Sequence, residues 1–254
     1  MRAEDLAIGR DGRTIVTGID LQVDPGELVA VLGPNGCGKS TLLDTLAGLI
    51  PPVGGTATVQ GKALFSLRPT ERARLVAGIP QSEPADHGLT VLETVCLGRY
   101  AYSKGIFDTQ EDRGAALAAL VKVGASALAE RPLSSLSGGE RQRAYFARVL
   151  AQAAPFLVAD EPTANLDPDH QGTAGRLLRE IAREDRGIVV ATHDLAWAGS
   201  FADRGLLMAE GRVVARGPIS DVLSPAALNE AFHSPFLTFE GRGRPITVPD
   251  HLAL

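Results

Sequence analysis

Short apolar runs alternate along this chain with longer stretches whose apolar residues recur at helical spacing. The apolar runs end at glycine or polar residues, as buried parallel strands do when helices cover both faces of the sheet. The alternation predicts an α/β fold with a largely parallel sheet. Two further runs, 206–209 and 212–215, flank Glu210-Gly211 and predict a β-hairpin. The predicted strands are 27–32, 156–159 and 188–191, and the predicted helices are 39–47, 110–123 and 137–152.

The region between about residues 84 and 148 differs from its surroundings because its periodicity is mostly helical. Its first long helical segment carries Leu117, Leu120 and Val121 at helical spacing. We therefore predict a helical insertion into the α/β core. Residues 218–254 are fewer than the roughly 40 residues that usually fold alone, so they form a tail or a packed extension.

Composition and charge exclude several classes of protein. The 254 residues are 44% hydrophobic and 22% charged, which is typical of a soluble globular protein. A net charge of −5 argues against a nucleic-acid partner held by a broad basic surface. Two cysteines, Cys37 and Cys96, cannot form a disulfide framework or a cysteine-rich zinc site. No apolar run approaches the ~18 residues of a membrane span, so we expect a cytosolic protein whose membrane role depends on partners.

Residues 33–41 carry the clearest chemical motif. They match G-x-x-x-x-G-K-[ST] after a strand and before a helix, which is the context that a phosphate-binding loop requires. Glycines let backbone N–H groups converge on phosphate oxygens, and the helix N-terminus adds partial positive charge. We expect the Lys39 ammonium to reach the β- and γ-phosphates and the Ser40 hydroxyl to bind Mg²⁺. The predicted nucleotide contacts are Gly33, Pro34, Asn35, Gly36, Cys37, Gly38, Lys39, Ser40 and Thr41.

Two carboxylates follow the apolar run 156–159. Ligands of open α/β sheets bind at the carboxyl ends of the strands, where Asp160 and Glu161 are expected to lie. Strand alternation would point the two side chains to different sides. Asp160 can hold Mg²⁺ through water. Glu161 is then placed to polarise the attacking water.

A third motif begins the helix predicted from residue 137. Ser137 and Glu140 form a capping box, which explains the helix start. It does not explain Gly138 and Gly139, since each costs about 1 kcal/mol relative to alanine in a helix. A serine hydroxyl and bare backbone N–H groups at a helix N-terminus form an anion site. One chain would then hold two phosphate sites and a single lysine-bearing loop, which indicates a dimer whose copies complete each other's sites.

Together these motifs resemble the ATP-binding-cassette (ABC) ATPases, in order, over about residues 3–217. The resemblance implies ATP and Mg²⁺ as cofactors and ATP hydrolysis as the activity. It implies a P-loop nucleotidase (RecA-like) core with an antiparallel β region and an inserted α-helical subdomain. The implied divisions are a core at about 1–83 and 149–217, a helical subdomain at about 84–148, and a C-terminal extension at 218–254.

The resemblance also implies roles for individual residues. Gln81 matches the Q-loop of the family, residues 165–167 the D-loop, and His193 the switch histidine. Lys39, Glu161 and His193 are the implied catalytic residues. The implied metal ligands are Ser40, Gln81 and Asp160, and the further nucleotide-binding residues are Gln81, Ser137, Gly138, Gly139 and Asp167. Arg10 occupies the position where the family usually has an adenine-stacking aromatic residue, and its guanidinium can stack on the base instead.

A narrower resemblance connects the chain to the ATPases of iron-siderophore, haem and vitamin B12 importers. It is carried by residues 33–43, 98–100 and 245–249. It implies a homodimer at the cytoplasmic face of the inner membrane, with two permease subunits and, indirectly, an external substrate-binding protein. Alternatives are a lipid or drug exporter subunit, a soluble cassette ATPase acting on DNA or ribosomes, and a nucleotide-binding scaffold without turnover.

Overall fold

The computed structural model describes residues 1–81, 88–103, 109–164 and 166–250. The strands are β1 (Arg2–Arg10), β2 (Arg13–Gln22), β3 (Leu28–Leu32), β4 (Gly54–Val59), β5 (Lys62–Ala63), β6 (Val76–Ile79), β7 (Phe156–Asp160), β8 (Gly187–Ala191), β9 (Arg204–Ala209), β10 (Arg212–Pro218), β11 (Phe236–Gly241) and β12 (Arg244–Pro249). The helices are α1 (Lys39–Leu46), α2 (Pro69–Ala73), α3 (Val91–Cys96), α4 (Gln110–Lys122), α5 (Gly138–Gln152), α6 (Pro168–Arg183), α7 (Leu195–Phe201), α8 (Ile219–Val222) and α9 (Pro225–Phe232).

The central sheet has six strands in the order β10-β9-β3-β8-β7-β6. Strands β9, β3, β8, β7 and β6 are parallel, and β10 is antiparallel to β9. A second, antiparallel sheet has the order β2-β1-β4-β5, and β11 pairs with β12 in a separate hairpin. The parallel arrangement brings the carboxyl ends of β3, β7 and β8 to one edge of the sheet.

The central sheet is buried on both faces, which explains why its strands read as continuous apolar runs. In β3, Leu28, Ala30 and Leu32 pack against the side of the sheet covered by α3 to α7. Val29 and Val31 point the other way and pack against α1 and the antiparallel sheet. The two cores therefore share one sheet, and each strand alternates between them.

The structure confirms the elements predicted from the apolar pattern, with small changes at their ends. Strand β7 extends one residue further than predicted and includes Asp160. Helix α1 ends at Leu46, one residue earlier than predicted. The predicted hairpin is β9–β10, and both Glu210 (φ 49°) and Gly211 (φ 78°) adopt the left-handed conformation that a type I′ turn requires.

The packing of α4 differs from the apolar spacing on which its prediction rested. Leu120 is buried, but Leu117 is 42% exposed and Val121 is 67% exposed. Ala116 and Ala119 complete the buried face instead. Small alanine side chains allow α4 to approach α3 and α5 closely, and two larger apolar residues are left at the surface.

Residues 219–249 pack against the rest of the protein. Leu228 and Ala231 of α9 and Phe236 of β11 belong to the core on the helical side of the central sheet. Strand β12 lies against α7, where the Pro245 carbonyl oxygen approaches Gly199 so closely that a Cβ would lie 2.3 Å from it. This part of the chain is a packed extension.

Candidate functional site

Residues 33–41 form a loop between β3 and α1 that depends on glycine at two points. Gly33 has φ 145°, and a Cβ there would lie 2.0 Å from the Met208 carbonyl oxygen. Gly38 has φ 107° and occupies the N-cap of α1 without a side chain that could cap the helix. The first N–H groups of α1 therefore remain available to an anion.

Lys39 is folded over this loop. Its Nζ donates to the Gly33 carbonyl oxygen at 2.8 Å and to the Pro34 carbonyl oxygen at 3.1 Å. Lys39 is only 6% exposed, so a buried ammonium lies against the loop that is predicted to bind phosphate. Such a charge favours an anion at this place.

The carboxyl end of β7 brings an acid to the loop. The Ser40 hydroxyl hydrogen-bonds to Asp160, although the two residues are 120 positions apart in the chain. Burial raises the pKa of Asp160, the bond from Ser40 opposes that shift, and the charge of Glu161 adds to it. A hydroxyl and a carboxylate are oxygen ligands that suit Mg²⁺, which keeps further positions for phosphate and water. The residues present therefore fit the ion.

Glu161 lies just beyond the strand and has left-handed backbone (φ 47°). The sequence predicted that strand alternation would point the side chains of Asp160 and Glu161 to different sides. In the structure they diverge because the chain leaves the extended strand conformation at Glu161. Its N–H donates to the Ala191 carbonyl oxygen at 2.9 Å, which ties the residue to β8. Its Oε2 lies 3.1 Å from the Nδ1 of His193, which follows β8. Adjacent parallel strands thus bring a carboxylate and an imidazole together.

A cleft of about 310 Å³ lies between the phosphate-binding loop and Glu161. Lys39, Ser40 and Glu161 line it, and so does Gln81, which follows β6. Ile15 of β2 forms an apolar part of the cleft wall. No motif in the sequence pointed to this residue. Among the described residues, the structure therefore brings predicted site residues from three separate segments, the phosphate-binding loop, Gln81 and Glu161, into one cleft.

Ser137, Gly138 and Gly139 begin α5 at a different place. Ser137 accepts a hydrogen bond from the Glu140 N–H and donates to the Glu140 carboxylate at 2.9 Å, so the predicted capping box is confirmed. A Cβ at Gly138 would meet nothing within 4 Å. Gly139 lines a separate cavity together with His170. These three residues do not line the cleft at Lys39.

Gly139 has a packing role that the sequence did not show. A Cβ there would lie 2.8 Å from Cδ2 of His170. Asp167 caps α6 by accepting from the His170 N–H at 2.9 Å, and it also lies 2.7 Å from the His170 ring Nδ1. The bonds from His170 lower the pKa of Asp167. Asn165, in the predicted D-loop, lies outside the described residues.

Two other candidates of the sequence have defined positions. Arg10 pairs with Asp44 of α1 at 3.3 Å. It lines a wider cleft of about 710 Å³ that also includes Ser40 and Asp160.

Burial raises the pKa of the Cys37 thiol, so the neutral form is favoured. This favours a small packing side chain over a reactive thiol.

None of the helices in the described ranges is long and apolar enough to cross a bilayer.

The family model for the ABC transporter matches residues 16–164. A hemin import ATP-binding protein (HmuV) of Streptomyces coelicolor is 42% identical over 237 residues, which cover 93% of this chain and 84% of that protein. A cobalamin import ATP-binding protein (BtuD) of Halobacterium salinarum is 40% identical over 222 residues, 87% of this chain and 56% of that protein.

Solved structures agree with these relatives. An inward-facing ABC transporter assigned to the metal-chelate type has a subunit with a TM-score of 0.87 and 27% identity, covering 99% of this chain and 98% of that one. A dimeric ATP-binding cassette bound to ADP and Pi has a TM-score of 0.76 and 27% identity, covering 86% and 98%. The chain has the P-loop α/β fold of these ATPases, binds ATP and hydrolyses it, and it belongs to the ABC transporter family.

Proposed function

We propose that two copies of this chain are the ATP-hydrolysing subunits of an importer for haem, cobalamin or an iron siderophore. The names of the relatives support this cargo class, since one imports hemin and another cobalamin. In this proposal the chain lies at the cytoplasmic face of the inner membrane. It binds two permease subunits there, and an external binding protein delivers the cargo to them.

The observation that carries the proposal is the convergence of Lys39, Ser40, Asp160, Glu161 and His193 on one edge of the central sheet. Backbone N–H groups of the loop and the Lys39 ammonium bind the phosphates of ATP. Ser40 and Asp160, with Gln81, hold Mg²⁺, which neutralises phosphate charge when it is bound. The chemistry that remains is to position a water molecule and to stabilise charge.

Glu161 and His193 position the water molecule and stabilise the charge that develops. Glu161 is largely buried, and its carboxylate lies within hydrogen-bond distance of the His193 ring. The carboxylate orients and polarises the attacking water. His193 is more exposed, with 61% of its side chain accessible, so it can reach the γ-phosphate and at the same time hold Glu161 in place.

The second copy completes the site. Ser137, Gly138 and Gly139 offer a hydroxyl and the first backbone N–H groups of α5, yet they lie away from the cleft of their own chain. Two copies arranged head to tail would place each set of residues over the other copy's ATP. Asp167, which caps the neighbouring helix, contributes at the same interface. The dimeric cassette among the solved structures supports this pairing.

The division of the chain fits the same mechanism. We propose that residues 1–83 and 149–217 bind the nucleotide, and that the helical subdomain at 84–148 carries the residues that close on the second copy. Gln81 lies at the junction of these parts and lines both clefts. Its movement would transmit closure to the permeases. Arg10, held by Asp44, offers a flat guanidinium to the base.

Reconstitution tests the proposal. The chain is purified with its two permease subunits in nanodiscs, and ATP turnover is measured with binding proteins loaded with haem, cobalamin or a ferric siderophore. One loaded binding protein should stimulate turnover, and the empty protein should not. Turnover that is indifferent to every binding protein, together with outward transport of a lipid or drug, would refute import.

A further inference from the structure

The hairpin of β11 and β12 presents its apolar face to solvent. Leu237 pairs with Val248, and Phe239 pairs with Ile246, so the four side chains form two adjacent cross-strand pairs on one face. They are 44%, 40%, 55% and 44% exposed, respectively. Arg244 shares their alternation, but its guanidinium donates to the Ala202 carbonyl oxygen at 2.6 Å. The face is therefore continuous, apolar and free of charge at its centre.

The opposite face of the hairpin packs on the protein through Phe236, which belongs to the core, and through two threonines. The Thr238 hydroxyl donates to the Leu223 carbonyl oxygen at 2.9 Å, and Thr247 lies 3.1 Å from Thr238 and is only 4% exposed. Pro245 packs over Gly199 of α7. A hairpin that covered a core would normally bury its apolar face and expose its threonines. Here Phe236 and the threonine contacts together fix the hairpin, and its four large apolar side chains remain outward.

The size of the face indicates what kind of contact it can make. A stable interface that stands alone uses about 20–30 residues on each side. Four large side chains supply only a fraction of that, so the hairpin must add to a larger contact between the same two molecules. The proposed function already provides such a contact between two copies of this chain.

The hairpin also begins close to the nucleotide cleft. Ala231 and His233, just before β11, line a cavity of about 340 Å³ with Pro34, Asn35 and Gly36 of the phosphate-binding loop. The same segment of chain therefore continues from the edge of the loop to the exposed apolar face. In the proposed dimer that loop closes on residues 137–139 of the second copy, so the C-terminal segment of each copy begins beside the interface between them.

We infer that the apolar face of this hairpin packs on the same face of a second copy, as a contact about the two-fold axis of the ATPase pair. The inference rests on the proposed function for the pairing itself. The contact involves no nucleotide-binding residue, so it holds the two copies together whether their ATP sites are closed or open. The hairpin is a tether between ATPase subunits during turnover.

Sedimentation velocity provides the first test. Phe239→Ser with Ile246→Ser is introduced into full-length Glu161→Gln protein, which should form a dimer with ATP and Mg²⁺. The dimer dissociation constant should rise about tenfold or more, as expected for loss of large central side chains. Val121→Ser is the matched control, since Val121 is 67% exposed on α4 and its loss should leave dimerisation unchanged.

Cross-linking tests the same contact with a milder change. Phe239→Cys in the otherwise native chain is treated with a short bismaleimide, with and without ATP, and the products are separated under reducing conditions. Covalent dimers should form in both conditions, and Val121→Cys should give no more than the background from native cysteines. This variant retains the Thr238 hydrogen bond to Leu223 and the packing of Pro245 on α7.

The outcomes separate this inference from the proposed function. An ATP-dependent dimer that is insensitive to the double serine variant, with no cross-link at Phe239→Cys, overturns the tether and leaves the proposed function standing. A Glu161→Gln protein that stays monomeric with ATP contradicts the proposed pairing, while a cross-link without nucleotide would still support the hairpin contact. If the serine variant loses only binding to anionic lipid vesicles, the face serves a membrane surface and the inference is wrong.

Discussion

Two glycines of the phosphate-binding loop allow a matched test of how the loop is built. Gly33 and Gly36 both have positive φ, at 145° and 79°. A Cβ at Gly33 would lie 2.0 Å from the Met208 carbonyl oxygen and 2.7 Å from the Cys37 sulfur, whereas a Cβ at Gly36 would meet nothing within 4 Å. Alanine at each position therefore separates backbone strain from steric contact.

The expected magnitudes follow from that difference. An alanine at Gly36 pays only for the left-handed conformation, about 1–2 kcal/mol. An alanine at Gly33 incurs a backbone strain of about 1–3 kcal/mol, and it must also displace the backbone of β9, where Met208 is fully buried. Overpacking of this kind adds about 1–3 kcal/mol. We expect Gly33→Ala to lose about 2–6 kcal/mol in all, a large part of the 5–15 kcal/mol that stabilises a typical domain.

Urea unfolding followed by the fluorescence of Trp197, the single tryptophan, measures the stability of each variant. Trp197 is 4% exposed, so unfolding should change its emission clearly. Calorimetry with ATP then reports whether the loop still binds phosphate, and Gly33→Ala should lose more affinity than Gly36→Ala. Equal losses of stability in the two variants would refute the argument from close approach.

Four further predictions concern the candidate site. Glu161→Gln should lower ATP turnover by about 10²–10⁴-fold, because a positioned base is lost, while calorimetry still detects ATP binding; full turnover would remove Glu161 from this role. Lys39→Ala should weaken ATP binding by about tenfold or more, because a charge-assisted hydrogen bond is lost, and undiminished affinity in calorimetry would contradict the phosphate-binding loop. Ser137→Ala should cost about 1 kcal/mol of stability in urea unfolding through the lost helix cap and should lower turnover of the assembled transporter, with ATP binding by the isolated subunit unchanged; loss of that binding would argue against a site shared between copies. Because the pKa of Asp167 is lowered in the folded chain, its contribution to stability is present above its ordinary pKa and should disappear as the pH falls below about 4. Asp167→Asn should therefore reduce the loss of unfolding free energy between about pH 4 and lower pH, measured by urea unfolding at each pH. If the variant lost as much stability as the native chain over this range, the shift would have no effect on stability.

The phosphate-binding loop, the helix after it and the capping box at Ser137 could be predicted because they are encoded locally. Each needs a fixed set of residue types at a fixed spacing, and neighbouring positions in the chain satisfy it. The pairing of Ser40 with Asp160 could be expected only through the rule that parallel strands end at the same edge. The roles of these residues in catalysis and the division into subdomains stay predictions.

Other features depend on contacts between distant segments and had no local signal. The buried face of α4 uses Ala116 and Ala119 beside Leu120, because the room between helices favours small side chains over Leu117. The left-handed conformation of Glu161 is supported by its bond to β8 and not by its own residue type. The C-terminal hairpin turns its threonines inward because the Thr238 hydroxyl donates to the Leu223 carbonyl oxygen. The alternation of residues within the hairpin does not reveal this contact.

The imidazole that lies between the starts of α5 and α6 limits how this chain can be altered. His170 fills the space above Gly139 and binds Asp167, so the two loops are fitted to each other through one ring. Suppose a chimera takes residues 137–140 from another cassette, where they are fitted to a different side chain. The His170 ring would then either clash with the imported segment or lose the contact that supports it. The two segments therefore form a single unit of exchange, and in this chain they should be replaced together.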